Sequence, residues 1–151
     1  MNKDEFTGQI LELEKSLYYV SKSILCNDED CKDAMQNAIL KAYKNLGDLR
    51  EDCYFKTWIT RILINECYRI AGKNQRLVPY EDYMEDLEET EGYSEVYIEI
   101  QNLEEKYRVP FVLHYVEGFS LQEIAGFLKT TEAGIKMRLL RARNILKRQL
   151  R

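Results

Sequence analysis

Proline is nearly missing from this sequence, with 2 in 151 residues, and glycine is sparse at 7. That scarcity argues against low-complexity disorder and against a turn-rich β fold. No apolar run approaches the roughly 18 residues that a membrane span needs. The opening MNKDEF lacks the basic and apolar regions of a secretory signal. The expectation is a cytoplasmic protein with no direct membrane insertion. Histidine occurs once, as His114, which leaves little room for Ser-His or Cys-His nucleophilic catalysis. A glycine-rich phosphate loop is also missing, so nothing here points to an enzyme or to a cofactor.

The four cysteines (Cys26, Cys31, Cys53 and Cys67) include no close Cys-x-x-Cys pair, and His114 is far from them in sequence. This spacing does not suit a zinc site, so no metal is expected. Cys31 shares an apolar stripe with its neighbours, and the four read as buried free thiols in a reducing compartment.

Bases are missing from one whole stretch. Residues 80–105 hold 11 acids and no Lys or Arg, whereas residues 1–79 balance at 12 of each. Residues 106–151 hold 10 bases against 3 acids, so the formal net charge of −4 conceals a C-terminal segment at +7. Such asymmetry points towards a polyanionic partner. A solvated basic helix without a ligand gives the same count.

Apolar periodicity is helical almost throughout. Phe6, Ile10, Leu13, Leu17, Val20 and Ile24 recur at steps of four and three, and Asp28 is the expected N-cap of a second helix. That helix carries Cys31, Met35, Ala38, Ala42 and Leu46 inward. A third, from about Tyr54 to Ala71, buries Phe55, Trp58, Ile59, Ile62 and Ile70 and stops at Gly72. The pattern resumes with Val96, Ile100, Leu103 and Tyr107, and Pro110 is placed in or near the first turn of the next helix, which ends at Gly118. No period-two alternation is long enough for a strand. The fold class is therefore all-α: two small helical domains, 1–74 and 95–151, joined by an acidic linker, 75–94.

The C-terminal segment is the most informative. Ser120 to Glu123 forms a capping box that opens a short helix, Leu121 to Leu128. After the break at Lys129-Thr130, Thr131 caps a last helix with Ile135, Leu139, Ala142 and Leu146 on its inner face. Its other faces carry Lys136, Arg138, Arg141, Arg143, Lys147, Arg148 and Arg151. Two helices joined by a short turn, the second basic and capped, describe a helix-turn-helix able to enter a major groove.

These residues carry a resemblance. Glu123-Ile124-Ala125, followed by Ile135-Lys136-x-Arg138-Leu139-x-Arg141-Ala142-Arg143, resembles region 4 of the sigma-70 family of bacterial RNA polymerase initiation factors. Asp33-Ala34-x-Gln36 resembles region 2.2, and Phe55-x-x-Trp58-Ile59-x-x-Ile62-x-x-Asn65 resembles region 2.3. The order and the intervening linker are similar to those of the small extracytoplasmic-function (ECF) group. The resemblance implies a sigma factor that binds core RNA polymerase and directs promoter-specific initiation, without covalent chemistry.

It further implies that Asp33 and Gln36 dock on the β′ clamp helices, and that the C-terminal domain meets the β flap. Asn65 captures a base flipped from the −10 element, with Lys56, Arg61 and Arg69 tracking the backbone. Thr131, Glu132, Lys136, Arg138 and Arg141 read the −35 element. The implied partners are core polymerase, promoter DNA and an anti-sigma factor. Relative to the family, Lys129 replaces a common turn glycine and is expected at positive φ. Gly134 replaces a common threonine, and Arg69 stands at a usually acidic position. Two rivals remain at this point: a standalone helix-turn-helix regulator, and a sigma-like protein that binds polymerase but not DNA.

Overall fold

The computed structural model describes residues 1–74 and 94–150, and the chain divides into two compact units, Met1–Val78 and Pro79–Arg151. The expected acidic linker, apart from Ser94, lies outside the described residues, as does Arg151. The described residues are helical and contain no strand.

In the first unit, α1 (Lys3–Leu25), α2 (Asp28–Lys44) and α3 (Phe55–Asn74) pack pairwise, and two short 3-10 turns lie between α2 and α3. Asn2 opens α1, its side chain accepting from the Glu5 amide at 2.8 Å. The expected apolar stripe is the inner face, with Phe6, Leu17, Val20 and Ile24 buried and Ile10 and Leu13 half-buried. The Phe6 ring meets the Phe55 ring edge-to-face at 5.7 Å, tying the start of α1 to the start of α3.

The cap of α2 differs from the expectation. Asn27, not Asp28, is the N-cap, accepting from the Asp30 amide at 2.8 Å. The Asp28 carboxylate is engaged elsewhere, by the Tyr18 hydroxyl at 2.7 Å and the Lys22 ammonium at 3.1 Å. Those bonds hold its pKa below the ordinary carboxylate value, with the Tyr18 bond the main cause and burial opposing it. The inner face of α2 is small: Cys31, Ala34, Ala38 and Ala42 are all buried, which lets α3 approach closely.

Helix α3 runs through Gly72 to Asn74 rather than stopping at Gly72, because a glycine inside a helix costs only about 1 kcal/mol when its neighbours continue the ladder. Phe55, Ile59, Leu63, Ile64, Cys67 and Ile70 are buried, while Trp58 and Ile62 are half-buried. Of the cysteines, Cys31 and Cys67 are the buried thiols, and burial pushes both up to about 12. Cys26 is half-buried and Cys53 exposed, so the expected burial fails for Cys53, which lies in a surface 3-10 turn.

Thr60 is fully buried on α3, and its hydroxyl has no hydrogen-bond partner among the described residues. A buried unsatisfied hydroxyl costs about 1–3 kcal/mol, and valine has the same shape without it. Thr60→Val is expected to raise the thermal midpoint by about 3–6 °C, which a melt followed by circular dichroism measures.

The second unit begins with α4 (Glu95–Asn102), capped by Ser94. The expected continuous pattern breaks at Leu103, which is extended, before α5 (Glu105–Phe111). The break is filled by Arg108, itself buried, whose Nη1 donates to the Leu103 carbonyl at 2.9 Å. Pro110 is not in the first turn. It sits near the end of α5, and the backbone after it widens into a π turn, Val112–Val116, where the Glu117 amide donates to the Val112 carbonyl. Proline has no amide to donate and its ring crowds the turn before it, so the hydrogen-bond ladder is weakened at this point. Gly118, at φ 78°, then reverses the chain.

Two further helices follow, α6 (Leu121–Leu128) and α7 (Glu132–Gln149). Helix α7 packs on α4, α5 and α6, and its Ile135, Leu139, Ala142 and Leu146 are all buried as expected. Ala142 and Leu146 share a cluster with Ile100, Leu103 and Val112.

Candidate nucleic-acid interface

The capping box at α6 forms in full: the Ser120 amide donates to Glu123 Oε1 and the Glu123 amide to Ser120 Oγ, both at 3.1 Å. At the other end Lys129 adopts φ 55° and ψ 48°, the left-handed conformation expected of it. The Thr130 amide donates to the Ala125 carbonyl at 3.0 Å and closes the helix end. A non-glycine residue there costs roughly 1 kcal/mol. The turn therefore exists because its closing bonds and the packing of Phe127 against Phe119, at 5.2 Å, outweigh that strain.

Thr131 caps α7, accepting from the Gly134 amide at 3.0 Å. Gly134 has a local reason. A Cβ there would lie 3.2 Å from the hydroxyls of both Thr130 and Thr131, so the small residue makes room for the turn's two threonines.

Of the expected groove-facing residues, Thr131, Glu132, Lys136 and Arg141 are exposed, and Arg138 is half-buried. Lys136 and Arg141 stand on either side of the outward face. Met137 and Leu140 lie between them, 49% and 42% exposed, and the sequence reading missed these two. Their signal is present in the spacing: each falls opposite the buried Ile135–Leu139–Ala142 stripe. Arg143 is oriented by the Tyr115 hydroxyl at 2.7 Å.

In the first unit, Asp33 and Gln36 are exposed on one stripe of α2, which Leu40 continues at 58% exposure. On α3, Arg61, Asn65 and Arg69 follow at steps of four and form one exposed row. Lys56 does not join them. It is half-buried and, nine residues before Asn65, projects from the opposite side of the helix. Tyr54 and Tyr68 are exposed aromatics on the same element or its lead-in.

Sequence reasoning also missed Glu66 and Lys41. Glu66 is 2% exposed, and its carboxylate bridges Lys41 of α2 and Arg69 of α3, the latter through Nε at 3.0 Å and Nη2 at 2.9 Å. Glu66 and Arg69 are three apart and locally legible, but Lys41 is distant in sequence and gives no local signal. Burial pushes the Glu66 pKa up, yet the bonds and charges of Lys41 and Arg69 outweigh it and hold the value below the ordinary 4.5. A depressed carboxylate stabilises the fold fully above its unfolded pKa, and that contribution is lost as pH falls through the folded value. The thermal midpoint is thus expected to stay level from pH 7 to about 5 and to drop below roughly pH 4.5, with the drop shallower in Glu66→Gln.

The profile for Sigma-70 region 2 matches residues 10–77, and that for Sigma-70, region 4 matches residues 95–146. The ECF RNA polymerase sigma factor SigM of Mycobacterium tuberculosis is 30% identical, over 90% of this chain and 72% of its own. The chain belongs to the ECF group of the sigma-70 family. SigW of Bacillus subtilis is 29% identical over 99% of this chain and 91% of its own. The sigma-H factor of Pseudomonas aeruginosa is 27% identical over 99% and 88%. The fold resembles that of the sigma factor RpoE from Bartonella quintana, solved with the anti-sigma factor NepR, at a TM-score of 0.76 and 21% identity over 97% of this chain and 96% of that one. It also resembles CnrH, solved with the cytosolic domain of CnrY, at 0.70 and 22% over 99% and 89%.

As an ECF sigma factor the protein is a non-enzymatic initiation factor that binds core RNA polymerase and directs it to promoters. The two rivals fall with that assignment. No described helix is long and apolar enough to cross a membrane.

Proposed function

We propose that the two units divide promoter recognition between them, within domains 1–74 and 95–151 joined by the acidic segment 75–94. Helix α7 enters the major groove of the −35 element, with Thr131, Glu132, Lys136, Arg138 and Arg141 against bases and phosphates. The observation that carries this reading is α7 itself, a capped helix whose outward side is cationic and whose inward side is fully used by the core. Asn65 takes a base flipped from the −10 element, and Arg61 and Arg69, in the same row, follow the phosphates of the unpaired strand. Lys56, on the other side of α3, contacts a separate stretch of backbone.

Asp33 and Gln36 dock α2 on the β′ clamp helices, and the second unit meets the β flap. The protein works in the cytoplasm. An anti-sigma factor holds it in reserve, a reading supported by the similar sigma factor RpoE, solved with the anti-sigma factor NepR. Run-off transcription with core polymerase on genomic fragments tests the whole. New, specific start sites are expected, and tight specific binding to DNA in the absence of core would contradict the reading.

A further inference from the structure

Glu66 is the only buried acidic side chain among the described residues. An apolar residue of similar size would fill its place without the desolvation that a charge incurs, and ion pairs at such sites seldom add net stability. Its partners are surface cations, Lys41 at 55% and Arg69 at 43% exposed, and they come from two different helices. Arg69 is one turn beyond Asn65 on the same exposed row. Because Nε and Nη2 both bond Oε2, the plane of its guanidinium is fixed. A long cationic side chain ordinarily loses rotamer freedom when it captures a phosphate, and one already held loses less. Lys41 lies on the helix that presents Asp33 and Gln36, so a single carboxylate is bonded to both α2 and the α3 row.

We propose that Glu66 is a positioning residue for promoter opening. It holds Arg69 beside Asn65 in the orientation that meets a phosphate of the unpaired strand, and through Lys41 it fixes that row against α2. The inference rests on the reading of α3 as the strand-contacting helix.

The test uses holoenzymes assembled from core polymerase and full-length Glu66→Leu, Arg69→Met, the double variant, and Asn65→Ala. Permanganate reactivity on a duplex promoter, and on the same promoter already opened by mismatches, reports strand opening. Glu66→Leu is expected to keep its thermal midpoint and core affinity while opening the duplex about tenfold less, as Arg69→Met does. The double variant is expected to open no less than either single one, because Glu66 acts only through the Arg69 cation that the second change removes. The pre-opened promoter is expected to restore most of the loss.

Additive losses in the double variant overturn the proposal. So does a loss that only follows a fall in core affinity or midpoint, or no loss at all. Should Glu66→Leu fail to fold, Glu66→Gln carries the same comparison, with a smaller loss and the same non-additivity expected. Asn65→Ala separates the two levels. Full opening by that variant overturns the reading of α3, whereas loss there with none in Glu66→Leu overturns the positioning role alone.

Discussion

Ile135→Ala is expected to unfold much of the C-terminal unit. Ile135 is fully buried one turn into α7, and Ile124 of α6, a helix on which α7 packs, is also fully buried. Replacing a buried isoleucine by alanine costs about 2–5 kcal/mol, since contacts are lost and a cavity remains. A unit of this size has on the order of 3–9 kcal/mol of total stability, so the change removes a large share of it. The neighbouring side chains cannot readily refill the gap, because Leu139 and Ala142 are already committed to the same inner stripe. Amide hydrogen exchange over 120–146 measures the effect. Protection there should collapse, and transcription that depends on the −35 element should fall with it. Protection within about 1 kcal/mol of the parent would show that the stripe is not what holds α7 in place.

Lys136→Ala combined with Arg141→Ala is expected to weaken promoter binding by the holoenzyme on the order of a hundredfold, at about 1–3 kcal/mol per contact to DNA. The fold should be untouched, since both side chains are exposed and neither belongs to the buried stripe. Two cations fewer should also flatten the dependence of log affinity on log salt by about 2. Affinity for core polymerase is expected to remain at the parent value, because the proposed docking residues Asp33 and Gln36 are on α2 and the proposed β-flap contact does not use these two cations. Binding titrations at several salt concentrations separate the outcomes. Equal loss of core affinity would mean that this face of α7 belongs to the polymerase rather than to DNA.

How far the sequence discloses this molecule depends on how local each cause is. The inner stripe of α7, the Ser120 capping box and the Thr131 cap were legible because each depends on residues within one or two turns. Positive φ at Lys129 was also legible, from the family's habit of placing glycine there. Errors arose where a residue had more than one local use. Asp28 is a good cap by type, yet Tyr18 and Lys22 claim its carboxylate and Asn27 takes the cap. Pro110 suggested a helix start, but the chain places it near a helix end, just before a π turn.

The Lys41 half of the Lys41–Glu66–Arg69 bridge was invisible from sequence, because it comes from another helix. Met137 and Leu140 are apolar residues among cations, and helical spacing alone places them on the outward face.

The turn at Lys129 has a consequence for inheritance. Its shape is set by main-chain bonds, by the Thr131 cap and by the small residue at 134, none of which involves the outward side chains of α7. The frame that presents the helix and the surface it presents thus share only Thr131, and the other outward positions are free of the turn. Substitutions at 136, 137, 140 or 141 can accumulate in a duplicated copy while the helix keeps its angle and its capping. A lineage can therefore acquire a new promoter preference by changing a few exposed positions, without first passing through an unstable intermediate.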